Sequence, residues 1–191
     1  MAEAAPRRAT YADLEAVPEH LVAEIVDGVL ETHPRPRPGH VAAASRLSGE
    51  LEPPFGLGRG GPGGWIFMTE PELHLGPHVV APDIAGWRIE RMRTEPETAY
   101  IETPPDWVCE ILSPSTARLD RGPKRRIYAE AGIPYLWLLD LAGGVLESFP
   151  LTAGQWLLTG TVARGETVAA PPFDAVPFPL DDLFPFASPE A

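Results

Sequence analysis

One six-residue run constrains this chain more than any other: Trp107-Val108-Cys109-Glu110-Ile111-Leu112. It is apolar at every position but one, too short for a helix of its own, and closed by Ser113-Pro114-Ser115, so it reads as a buried strand. The exception matters as much as the rule. A carboxylate inside such a strand costs several kcal/mol unless it is paired or binds a metal, so something positive must face Glu110.

The rest of the chain supplies layers to bury that strand. Its 191 residues, 44% of them hydrophobic, fit one domain, taken as residues 1–191. Thr10 with Asp13 reads as the cap of a short helix ending before Pro18. Leu21–Val26 and Val29–Thr32 flank Asp27-Gly28, a two-residue hairpin signal. Val41, Ala44, Leu47 and Leu51 recur at helical spacing, which predicts a helix over Gly39–Leu51. Trp65–Met68, Glu72–Leu75 and Ile84–Trp87 read as strands, Pro123–Ala131 as a helix, and Tyr135–Leu139 and Val145–Phe149 as further strands. Gln155–Thr161 with Glu166–Ala169 predicts a last hairpin before a Pro-rich tail. This order predicts an α/β (α+β) fold with a central mixed β-sheet flanked by helices.

Charge limits the partners. The net charge of −12 argues against a protein that coats nucleic acid or anionic membrane through bulk positive charge, while leaving room for a local basic face. Fourteen of the 15 basic residues are arginine; the one lysine is Lys124. The single Cys109 permits no internal disulfide, the first ten residues lack an apolar signal core, and no run approaches the roughly 18 apolar residues of a membrane span. A cytoplasmic protein without a membrane partner is expected.

Asp83 follows Pro82 at the entrance of a predicted strand. Two acids at neighbouring strand ends, Asp83 and Glu110, would converge on one divalent cation, and hard ions such as Mg²⁺ take oxygen ligands. Lys124 lies far enough beyond Glu110 for a turn and the start of a helix to return it over the strand. Two carboxylates and one lysine are the makings of a metal-dependent phosphodiester site.

Pro82-Asp83, Glu110-Ile111-Leu112-Ser113-Pro114-Ser115-Thr116, Asp120-Arg121, Lys124, Tyr128 and Tyr135-Leu136-Trp137-Leu138-Leu139-Asp140 together resemble the Uma-two family of the PD-(D/E)xK, restriction-endonuclease-like superfamily. Glu24-Ile25-Val26-Asp27-Gly28 and His40 match its N-terminal pattern in kind and order. The resemblance implies a restriction-endonuclease-like core over about residues 10–150, followed by a C-terminal hairpin and tail over 151–191. It implies a Mg²⁺ (or Mn²⁺) endonuclease acting on DNA, with Asp83, Glu110 and the backbone carbonyl of Ile111 as metal ligands. Lys124 would orient or deprotonate the attacking water, a point-charge task that suits an ammonium. Glu24 would complete the site, and His40 and Asp120 are accessory candidates. The superfamily's lysine stands two residues after the glutamate, where this chain has Leu112; Lys124 takes the place of a migrated lysine.

Each residue also has a plainer reading. Glu110 would pair with Arg121 or Arg125 without metal; Asp83 would cap a strand; Glu24 would lie on an exposed strand face; His40 would be a surface residue; Asp120 would cap the helix carrying Lys124; Tyr128 and Trp137 would be core. Arg118, Arg121, Arg125 and Arg126 form the densest positive cluster, either a phosphate-facing patch or a solvated helix face. A homodimer suits duplex cleavage. The competing functions are a catalytically silent nucleic-acid-binding or assembly module, and a phosphoesterase of small substrates.

Overall fold

The computed structural model describes residues 7–186. Helix α1 (Tyr11–Glu15) is capped by Asp13, whose carboxylate accepts the Thr10 N–H at 2.7 Å. Strands β1 (Leu21–Val26) and β2 (Val29–Pro34) form the expected hairpin. Asp27 and Gly28 both take positive φ, 56° and 79°, as a turn whose twist matches its strands requires. Helix α2 (Pro38–Leu51) turns Ala43, Leu47 and Leu51 inward. Then come β3 (Trp65–Thr69), β4 (Leu73–Leu75), β5 (His78–Val80), β6 (Ile84–Arg88) and β7 (Trp107–Leu112).

A helical stretch over Ala117–Glu130 follows, made of α3 (Ala117–Leu119), a wide π turn at Asp120–Lys124 and α4 (Arg125–Glu130). The chain closes with β8 (Tyr135–Asp140), β9 (Val145–Thr152), β10 (Gln155–Trp156), β11 (Gly160–Ala163), β12 (Thr167–Val168), β13 (Phe178–Pro179) and a 3₁₀ turn at Leu180–Leu183.

The main sheet runs β10-β9-β8-β7-β6-β3, with β11 also on β9. β7 and β8 are parallel and the other ladders of this sheet antiparallel, so the central sheet is mixed. The helical stretch 117–130 is the crossover that a parallel pair demands. A second sheet, β2-β1-β5-β4, lies beside it.

Both faces of the main sheet are covered, which is why β7 and β8 read as unbroken apolar runs. Trp107, Cys109 and Ile111 join α2 in one core; Val108 and Leu112 join Ile127, Tyr128 and the small sheet's Val26 and Val80 in the other. Side chains alternate along a strand, so Glu110 points with Val108 and Leu112 into the second core.

Three expectations change. Helix begins at Ala117, well before Pro123, because the π turn absorbs a proline that would clash with the carbonyl four residues earlier in a regular α-helix. The last hairpin does not form: β10 and β11 both pair with β9, and β12 pairs with β13. The Pro-rich tail is no appendage either. Phe173, Phe178, Leu180 and Leu183 are buried in the first core, with the Phe173 ring 4.8 Å from Trp65, 5.0 Å from Trp107 and 5.6 Å from Trp137.

Candidate functional site

Where β6 begins and β7 ends, one end of the main sheet brings together α2, the 117–130 helix and the β1–β2 hairpin. β6 starts at Ile84, so the ladder to β7 has its last pair at Ile84 and Cys109, leaving the Ile111 N–H two residues beyond it. The Asp83 carboxylate takes that N–H at 2.6 Å through Oδ2. Its other oxygen, Oδ1, lies 2.6 Å from His40 Nε2 at the start of α2. A strand residue turns its N–H and C=O toward the same neighbour, so the Ile111 carbonyl also faces the Asp83 side.

Inside this pair lies a buried charge cluster. Lys124 Nζ stands 2.8 Å from Glu110 Oε1, 3.0 Å from Glu24 Oε1 and 3.6 Å from Asp120 Oδ1, and donates to the Ala81 carbonyl at 3.3 Å. Lys124 and Glu110 are each 2% exposed and Glu24 1%. Glu24 Oε1 also accepts the Ala81 N–H at 2.8 Å, so the acid and the lysine grip both sides of the residue that precedes Pro82-Asp83. The Tyr128 hydroxyl donates to Glu110 Oε1 at 2.5 Å. His33, diagonal to Glu24 across the hairpin, lies 3.5 Å from its second oxygen.

Three carboxyl groups, Glu24, Glu110 and Asp120, thus stand against one ammonium, while Asp83 beside them is held by His40. Burial disfavours the charged form of Lys124, but Glu110 and Glu24 overcome it and hold the ammonium well above its ordinary value. With more acids than cations, burial and the neighbouring carboxylates push Glu110 well up despite the attraction of Lys124. Asp120 is raised mainly by burial. Burial lowers His40, yet its hydrogen bond and charge interaction with Asp83, aided by Glu70 and Asp120, leave it raised.

Every sequence candidate of the core site is therefore placed at this sheet end: Asp83, Glu110, Ile111, Lys124, Glu24, His40 and Asp120. Several plainer readings give way. Glu110 has a buried partner, but it is Lys124, not Arg121 or Arg125. Glu24 is not on an exposed strand face. Asp120 does not cap the helix, which starts after Thr116; it faces Lys124 one turn on. Tyr128 is core and a member of the cluster.

Among the described residues no three His, Cys, Asp or Glu side chains share a ready metal position. Glu24, Glu110 and Asp120 gather around the ammonium instead. The donor set nevertheless suits a hard cation: Asp83, Glu110 and the Ile111 carbonyl offer only oxygen, and the surplus negative charge favours a further positive one.

The arginine cluster is arranged differently from a free basic patch. Arg121 pairs with Glu147 at 2.7 Å, and Arg126 with both Asp27 and Glu130 at 2.6 and 3.0 Å. Arg125 lies over the Phe149 ring at 4.4 Å. Arg118 is exposed and has no ion pair with a described residue.

Sequence reasoning missed His33 and the role of Tyr128. Asp120, Lys124 and Tyr128 are spaced four apart, one face of a helix, and that spacing was the available signal.

A mixed sheet covered on both faces, with acids and a lysine gathered where β6 begins and β7 ends, is the arrangement that the resemblance to restriction-endonuclease-like proteins implies. A family profile described as "Uma2: Putative restriction endonuclease" matches residues 8–178, and the chain belongs to that family. A solved structure titled "a putative nuclease belonging to DUF820 from Anabaena variabilis ATCC 29413" superposes with a TM-score of 0.71 at 20% identity, covering 92% of this chain and 97% of that one, and so shares its fold. A comparison with curated proteins found no match. No helix among the described residues is long and apolar enough to cross a membrane.

Proposed function

We propose that the protein is a Mg²⁺- or Mn²⁺-dependent endonuclease that hydrolyses DNA phosphodiester bonds at the Asp83–Glu110–Lys124 site. The observation that carries this reading is the buried group of acids around the only lysine, beside Asp83 at the open edge of β7. Asp83, Glu110 and the Ile111 carbonyl would hold the ion. A divalent cation bound there supplies Lewis-acid polarisation of the phosphate and a lowered pKa for water. Lys124 Nζ, held charged, would orient the attacking water and offset the negative charge that grows on the phosphoryl oxygens. Glu24 and Asp120 keep the ammonium charged and aimed, and His40 steadies Asp83. In this reading the protein works in the cytoplasm as a homodimer, one site for each strand of a duplex.

Purified protein is expected to nick supercoiled plasmid with Mg²⁺ or Mn²⁺, to stop on chelation, and to lose about 10²-fold or more of its rate in Asp83→Ala, Glu110→Ala and Lys124→Ala. Lys124→Arg keeps the charge, yet its broad planar group does not fit the cluster, and it should be inactive too. Unchanged cleavage by all four variants would reject the proposal. A second reading, a silent nucleic-acid-binding or assembly module, is favoured by Leu112 standing where the superfamily's lysine would and by the hold of three carboxylates on Lys124. Duplex binding without any metal-dependent nicking would select it.

A further inference from the structure

Glu110 Oε1 has two donors on successive turns of one helix: Lys124 Nζ at 2.8 Å and the Tyr128 hydroxyl at 2.5 Å. The Tyr128 ring is fully buried among Val108, Leu112, Ile127 and Leu138. Phenylalanine would fill that space as well, and a buried hydroxyl is costly unless it is hydrogen-bonded, so the oxygen has one evident use, the contact with Glu110. Lys124 by contrast is shared among Glu110, Glu24, Asp120 and the Ala81 carbonyl. If Lys124 were the sole partner of Glu110, turning it toward a water would strand a buried carboxylate.

We infer that Tyr128 is a positioning residue of the site: its hydroxyl fixes Glu110 Oε1, so that the carboxylate keeps a partner when Lys124 turns to the water and presents its other oxygen to the cation. This rests on the metal-dependent reading above. The phenol and the ammonium divide two tasks that one lysine would otherwise perform alone.

Tyr128→Phe keeps the ring and removes only the hydroxyl. Calorimetric titration of the metal-free protein with Mn²⁺ should show binding weakened about 10–100-fold relative to wild type, the usual effect of removing a group that orients a metal ligand. In nicking assays kcat should fall while KM for DNA stays level. Mn²⁺ binding equal to wild type in a folded Tyr128→Phe would overturn the role of Tyr128 and leave the metal-dependent reading standing. Absence of Mn²⁺ uptake by the wild type would overturn that reading and this inference with it. Should Tyr128→Phe not fold, the wild type labelled with ¹³C at the tyrosine ζ-carbon gives the same answer. The Tyr128 resonance, assigned by replacing the other three tyrosines Tyr11, Tyr100 and Tyr135 with Phe, should shift as Mg²⁺ is added, and an unmoved resonance would overturn the inference.

Discussion

Lys124 neutralises more buried charge than any other side chain described here, and its removal should show that. Lys124→Met leaves Glu110 and Glu24 buried without their counter-ion, and the expected cost is about 3–5 kcal/mol in urea unfolding at neutral pH. Adding Glu110→Gln removes one of the stranded charges, so the double variant should be more stable than Lys124→Met alone. Strictly additive losses would show that the two side chains do not depend on each other. At this scale the sequence was legible where a residue broke a pattern. Glu110 interrupts an apolar strand and by that alone demands a cation. Glu24 gave no such signal, because an acid beside Ile25 and Val26 in a hairpin looks like ordinary alternation; only its tertiary partners, Lys124 and the Ala81 backbone, reveal that it is buried. His33 and the Tyr128 hydroxyl depend wholly on which elements meet, and no local spacing encodes the contact between β2 and β1 side chains that sets His33 beside Glu24.

Strands and helices were read best where a residue type acts on its own backbone. Asp27-Gly28 placed its turn, and the apolar runs of β7 and β8 placed theirs. Pro123 misled, because a proline near a helix start is common, and only the wider π turn reveals that helix already lies before it. Edge pairing misled in the same way: β10 and β11 were expected to belong to a separate hairpin, but both complete the edge of β9. That edge has a sharp test. A Cβ placed on Gly160 would sit 2.7 Å from Ser148 Oγ, while the next atom, Ser148 Cβ, is 4.0 Å away. Gly160→Ala should therefore cost about 1–3 kcal/mol in chemical denaturation. Ser148 Oγ is buried without a hydrogen-bond partner, so Ser148→Ala should be close to neutral and should restore most of the loss in Gly160→Ala. Failure of the second substitution to rescue the first would mean that the crowding lies elsewhere. A pH test addresses the turn that follows. Arg164 and the Gly165 N–H hold the Asp181 carboxyl below its ordinary value. A depressed acid stabilises the fold above its unfolded pKa, about 3.9, and loses that contribution as pH falls through the folded value. Asp181→Asn should accordingly lower the thermal midpoint at pH 7, and its difference from the wild type should shrink as the pH falls below about 4.

The molecule as a whole is closed by the segment that its composition made look most peripheral. Proline-rich sequence between residues 171 and 179 suggested a tail, and nothing periodic marked Phe173, Phe178, Leu180 and Leu183 as core, since Phe173 sits on irregular backbone and the others on a two-residue strand and a four-residue 3₁₀ turn, both too short to show a repeat. We propose that residues 7–186 form one folding unit. Phe173→Ala should cost about 3–5 kcal/mol, and a chain ended after residue 166 should not unfold cooperatively in a calorimeter, whereas a true appendage would leave the transition unchanged. The burial of Lys124 has one more consequence. Because the chain has no other lysine and this one is 2% exposed, the folded protein presents no side-chain amine to its surroundings. Acylating reagents, amine cross-linkers and enzymes that tag lysines meet none on its surface, and modification of Lys124 would report the opening of the cluster itself.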